Sequence, residues 1–147
     1  MLRLVVDTSV LVGELLRPVG RQRLEDDRLE LFVPEEMRDE LQVELPRRVT
    51  AFASHRGLRA EDVDHLLDVS FRSVSRSVNV LFRPVYGSLA DEAAWRSVRD
   101  PTDWPLVACA LALDAGIWTN DQGLFGTGVP TWITPTVQGW LDHNPDR

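Results

Sequence analysis

The chain has 147 residues, 44% hydrophobic and 27% charged, with a formal net charge of −7. That length and composition suit one globular domain spanning 1–147 with a substantial core, and no apolar run approaches the roughly 18 residues of a membrane span. The acidic total excludes a simple basic nucleic-acid module, whose affinity comes from cations neutralising phosphates. The lone Cys109 excludes an internal disulfide. The N-terminal apolar stretch is too short for a secretion signal, so the chain reads as cytoplasmic.

Leu2 to Val6 is an apolar, β-branched run ended by Asp7, the pattern of a buried parallel strand. Thr8 or Ser9 caps a helix from Val10 to Leu16 that stops before Pro18. Gly20 to Asp27 is polar and reads as a short exposed helix. Leu29 to Val33 is the second strand. Pro34 opens a long helix, with Met37, Leu41 and either Glu44 or Leu45 at helical spacing and a row of Glu36, Glu40 and Glu44 beside them. Pro46 is expected to kink or divide that helix. After Gly57, Arg59 to Asp62 opens another helix burying Val63, Leu66, Leu67 and Phe71. SFRSVSRSVNV is ambiguous, and Val78 to Phe82 ends it as a strand. Ser88 to Val98 is a short helix. Asp100 and Asp103 precede an apolar helix through Leu113, closed by Gly116. Ile117 to Thr119 is a strand ending at Asn120-Asp121. A glycine-rich loop, a last strand at Thr131 to Thr134 and a closing helix from Val137 to His143 follow. Strands alternating with helices imply a parallel sheet covered on both faces.

Four acids from separate segments fall where one sheet edge receives them. Asp7 and Asp121 end strands, Asp103 starts a helix, and Glu40 sits on the second turn after the second strand. In open α/β sheets, sites lie outside the carboxyl ends of the strands. Each acid alone has a plainer reading: Asp103 as a helix cap, Glu40 as a solvated face, Asp121 as a turn residue. Together they need a cation, because several carboxylates cannot share a small volume unprotonated without one. Hard oxygen donors select Mg²⁺ or Mn²⁺, and three histidines with one apolar-patterned cysteine argue against zinc. With no Ser-His or Cys-His pair evident, the compatible chemistry is metal-assisted phosphodiester hydrolysis. All cationic side chains besides histidine are arginine. The missing lysine argues against haloacid-dehalogenase and receiver-type phosphoryl chemistry, which place a lysine beside the phosphoryl group.

The motifs VVDTSVLV, FVPEEMRDEL, RDPTDWPLVACALALDAGIWTND and FGTGVPTWIT, with their spacing, resemble the PIN-domain family, and within it the VapC-type toxin ribonucleases of toxin–antitoxin pairs. The resemblance covers nearly the whole chain. It implies a PIN-like, Rossmann-like three-layer α/β sandwich with a central parallel sheet of about five strands. It implies a divalent-metal-dependent endoribonuclease, the toxin of a type II pair. Asp7, Glu40, Asp103 and Asp121 would be catalytic, and Asp7, Asp103 and Asp121 would hold Mg²⁺ or Mn²⁺. Thr8, Ser9 and Thr119 would orient the ligands, with Asp100 a further acid or only a loop cap. RNA, a cognate antitoxin and a second copy in a homodimer are the implied partners. Seven arginines lie between Arg47 and Arg83, against Glu61, Asp62, Asp64 and Asp68, and make this segment mildly basic. The resemblance makes this segment, 47–83, with Arg72 and Arg76 in it, a candidate RNA or partner surface, or else solvated helix faces. The competing class is a PIN-like protein that binds RNA or a partner without cutting.

Overall fold

A computed structural model describes residues 1–145. Five strands form one parallel sheet: β1 (Leu2–Val6), β2 (Leu29–Pro34), β3 (Val78–Leu81), β4 (Gly116–Trp118) and β5 (Thr131–Trp132), in the order β3-β2-β1-β4-β5. The chain builds outward from β1 through β2 to β3. It then crosses back to lay β4 on the other side of β1. The order therefore reverses between β1 and β4, where the carboxyl ends of two neighbouring strands open a crevice.

Alternation along the strands sorts the core into two layers. Leu4, Val6, Leu31, Val33 and Trp118 pack with α1 (Thr8–Leu15), α3 (Glu35–Arg56) and α8 (Thr134–His143). On that side α2 (Pro18–Leu24) contributes Leu24, and α4 (Ala60–Ser77) adds Val63, Leu66, Leu67 and Phe71 at its partly buried margin. Val5 and Ile117 face the other way, against α5 (Arg83–Tyr86), α6 (Ala90–Arg96) and α7 (Trp104–Leu113). The three layers follow from this alternation. Cys109 is buried in the second of them.

Several boundaries differ from the sequence expectation for physical reasons. Helix α1 starts at Thr8, with Asp7 in the cap position making no side-chain cap bond. Helix α2 begins at Pro18 and is not wholly exposed: Gly20 and Leu24 are buried, and a Cβ on Gly20 would meet the Glu14 carbonyl oxygen at 2.2 Å. The ambiguous segment continues α4 to Ser77 before β3 starts. Pro46 does not divide α3, which runs 22 residues through it. The buried stripe Met37, Leu41, Leu45, Val49 and Ala53 continues on both sides of the proline. Burial of such side chains at about 1.5–3 kcal/mol each outweighs a proline cost of about 3 kcal/mol. The carbonyl that Pro46 leaves unbonded belongs to exposed Gln42, where water reaches it. Leu45, not Glu44, is the inward residue of that turn. No helix among the described residues is long and apolar enough to cross a membrane.

Candidate active site

The crevice between β1 and β4 collects the side chains that the sequence singles out. Val6 and Trp118 are in register, and the Asp7 amide donates to the Trp118 carbonyl at 3.0 Å, so Asp7 and Thr119 leave the sheet side by side. Thr119 is fully buried. Its hydroxyl donates to Asp7 Oδ2 at 2.9 Å and accepts from the Asp121 amide at 3.0 Å. One threonine thus ties the acid after β1 to the chain carrying the acid after β4. Asp121 is exposed, and its Oδ1 accepts from the Gly123 amide at 2.8 Å. It is therefore also a turn residue.

Glu40 enters from α3. Its Oε2 accepts from the Thr8 hydroxyl at 3.3 Å. Asp103 enters at the start of α7 and, like Asp7, makes no cap bond to its helix. The capping falls to Asp100, whose Oδ1 accepts from the Thr102 amide at 3.0 Å and the Thr102 hydroxyl at 2.6 Å. Ser9 is exposed and lines a hollow of about 560 Å³ with Asp7, Thr8, Glu40, Glu44 and Arg48. On the opposite side of Glu40 a second hollow of about 440 Å³ is lined by Glu36, Arg83, Thr102 and Trp104.

Electrostatics couple these acids. The Asp103 carboxyl is pushed up from 3.8 to about 6, first by burial and then by the charges of Asp100, Asp7, Asp121 and Glu40. Burial also raises Asp7, against the lowering effect of the Thr119 hydroxyl, and Asp121 adds to the rise. Asp100 is held below its usual range by Thr102. The donors are all carboxylates, the set that suits Mg²⁺ or Mn²⁺. Nevertheless, among the described residues no three acidic, histidine or cysteine side chains stand close enough to hold a metal ion as they lie. Part of the reason is visible: Asp121 and Asp100 each spend an oxygen on a local turn.

Arg72 and Arg76 lie elsewhere. They line a separate hollow with Pro18, Arg21, Glu25 and Val69, and α4 carries Arg76 to the amino-terminal end of β3. Arg72 pairs with Asp68, and Arg76 stands 3.9 Å from Glu25. Arg48 and Arg83 belong to the basic 47–83 segment that the sequence marks as a candidate RNA surface, but their places beside the acids, and that of Trp104, were not read from it. The position of Glu36 and Glu44 one turn either side of Glu40 was the available signal.

The carboxylates gather at the strand-order reversal, where open α/β folds place their sites. A family model described as PIN domain matches residues 5–142, and the chain belongs to that family. PIN domains are generally nucleases, so membership points to a nuclease. A search of curated proteins finds no match.

Proposed function

We propose that the protein is a divalent-metal-dependent endoribonuclease whose catalytic residues are Asp7, Glu40, Asp103 and Asp121. The observation that carries this reading is the Thr119 bridge between Asp7 and the Asp121 turn at the strand-order reversal. Asp7, Asp103 and Asp121 would hold Mg²⁺ or Mn²⁺. When bound, the ion would neutralise phosphate charge and lower the pKa of a water nucleophile. The chain's own part is positional. Thr119 fixes the Asp7 carboxylate and Thr8 restrains Glu40, Ser9 borders the pocket, and the charge of Asp100 acts on Asp103. Asp103, raised to about 6, is the acid whose charge a cation would relieve most. Resemblance to VapC-type proteins supports a role as the toxin of a type II pair, with an antitoxin and a second copy as partners.

A second reading has one observation in its favour. No three acids among the described residues converge on a metal-sized centre, which suits a PIN-like protein that binds RNA or a partner without cutting. Cleavage of a total tRNA pool with Mn²⁺ separates the two. Wild type should cut and Asp7→Asn should not; equal residual cutting by both would mean contaminating nuclease and would reject catalysis.

A further inference from the structure

The hollow between α3, α5 and α7 has a construction that hydrolysis does not require. The Arg83 guanidinium lies 5.3 Å from the centre of the Trp104 ring, and Trp104 in turn packs against buried Tyr86 with ring centroids 5.9 Å apart. Arg83 also stands 2.9 Å from Glu36 Oε1. The side chain is thus ordered from two directions, yet 59% of it remains exposed. Its outer face is a flat, cationic, pre-positioned surface, and little further entropy is lost when something planar settles on it.

Glu36 is what holds the guanidinium in place. Its Oε2 accepts from the Tyr86 hydroxyl. Its Oε1 is buried against the Arg83 guanidinium, which is its partner. Glu36 lines the same hollow as Arg83 and Trp104, and Glu40 is on its rim.

A planar group that stacks on an ordered guanidinium fits this surface. We propose that this hollow is a nucleobase subsite. It would hold one base of the RNA strand beside the acids, stacked on the exposed side of the Arg83 guanidinium. This rests on the ribonuclease reading given above. Single-stranded RNA is read in this manner, by stacking on aromatic or guanidinium planes.

The test is binding of labelled hexauridylate carrying one central guanosine, in Ca²⁺, with strand integrity checked on a gel. A second strand has an abasic nucleotide at the central position. Losing the base should weaken binding to wild type about tenfold, the scale of one stacked base. The same change should cost Arg83→Ala and Arg83→Lys less than twofold. Arg83→Lys keeps the charge beside Glu36 and removes only the plane, so it reports even if Arg83→Ala folds poorly. A general loss of phosphate attraction weakens both strands equally and leaves the ratio intact. A wild-type ratio retained in both variants, or a wild type indifferent to the abasic change, overturns the subsite while leaving RNA cleavage standing. Absence of any RNA binding by wild type overturns both.

Discussion

Replacing Thr119 by valine is the sharpest perturbation of the acid cluster, because it keeps the shape of a fully buried side chain and removes only its hydroxyl. That hydroxyl makes two bonds, a 2.9 Å donation to the Asp7 carboxylate and a 3.0 Å acceptance from the Asp121 amide. A hydrogen bond to a charged group contributes about 1.5–3 kcal/mol, and a buried partner left unpaired costs on the same scale. Asp7 is partly solvated, which offsets some of this. The expected loss is about 2 kcal/mol, or about 6 °C in Tm for a chain of this length. Urea unfolding in EDTA measures it. Thr119→Ser, which keeps the hydroxyl, should lose well under half as much. In an Asp7→Asn background the further cost of Thr119→Val should shrink, since the charged acceptor is gone. Mn²⁺ affinity should fall about 10–100-fold in Thr119→Val, the usual effect of removing a group that orients a ligand. A variant as stable as wild type, with no coupling to Asp7, would refute the bridge as the organiser of the cluster.

Other consequences are measurable in the same way. The Asp103 carboxyl is pushed up to about 6 from its ordinary 3.8, so folding favours its protonated form. Its contribution to stability therefore falls as pH rises from about 4 to 6 and stays low above that. The shift alone corresponds to about 3 kcal/mol, which solvent screening of this half-exposed group reduces to about 1 kcal/mol. Asp103→Asn should thus stabilise the metal-free protein at pH 8 and not at pH 4.5; an equal gain at both values would exclude charge as the cause. Glu14 is 1% exposed and held by Arg17 and by Arg23, itself 11% exposed. Arg23→Ala should cost about 3 kcal/mol by stranding that charge, while Glu14→Leu with Arg23→Met should recover most of it. Urea midpoints of the two variants decide the point. Arg72 and Arg76 already have carboxylate neighbours. Reversing both charges should lower RNA affinity at low salt less than threefold, and a larger loss would make that hollow part of the RNA path.

The sheet was legible because buried parallel strands leave largely apolar runs, and Leu2–Val6 and Leu29–Pro34 carry them with one charged residue each, Arg3 and Glu30. The four acids stood out because Asp7 and Asp121 follow strands, Asp103 precedes a helix and Glu40 lies on the second turn of another. What stayed hidden depended on tertiary context. Helix α3 continues past Pro46 because its buried stripe continues, and that burial is not a property of the VELPRR segment itself. Asp100, rather than Asp103, caps the turn before α7, a choice between two aspartates three residues apart that only backbone geometry makes. The Arg83–Trp104 pair joins residues 21 positions apart across helices whose packing no local pattern announces.

Helix α3 sets the layout of the whole cleft through one register. Met37, Leu41 and Leu45 point inward at four-residue intervals, so the residues just before them, Glu36, Glu40 and Glu44, share the adjoining face. At 1.5 Å per residue this row spans about 12 Å. Its ends fall in different hollows, Glu36 beside Arg83 and Glu44 beside Arg48, with Glu40 lining both. Arg48 reaches its hollow only because the helix survives Pro46, two residues earlier. A break there would have freed the arginine from this face and left one side of the acids without a guanidinium. The core packing that overrides the proline therefore also places Arg48 on the flank opposite Arg83, so guanidinium groups stand on both sides of an acidic centre. That arrangement lets a protein of net charge −7 present local attraction to a polyanion where its acids are densest.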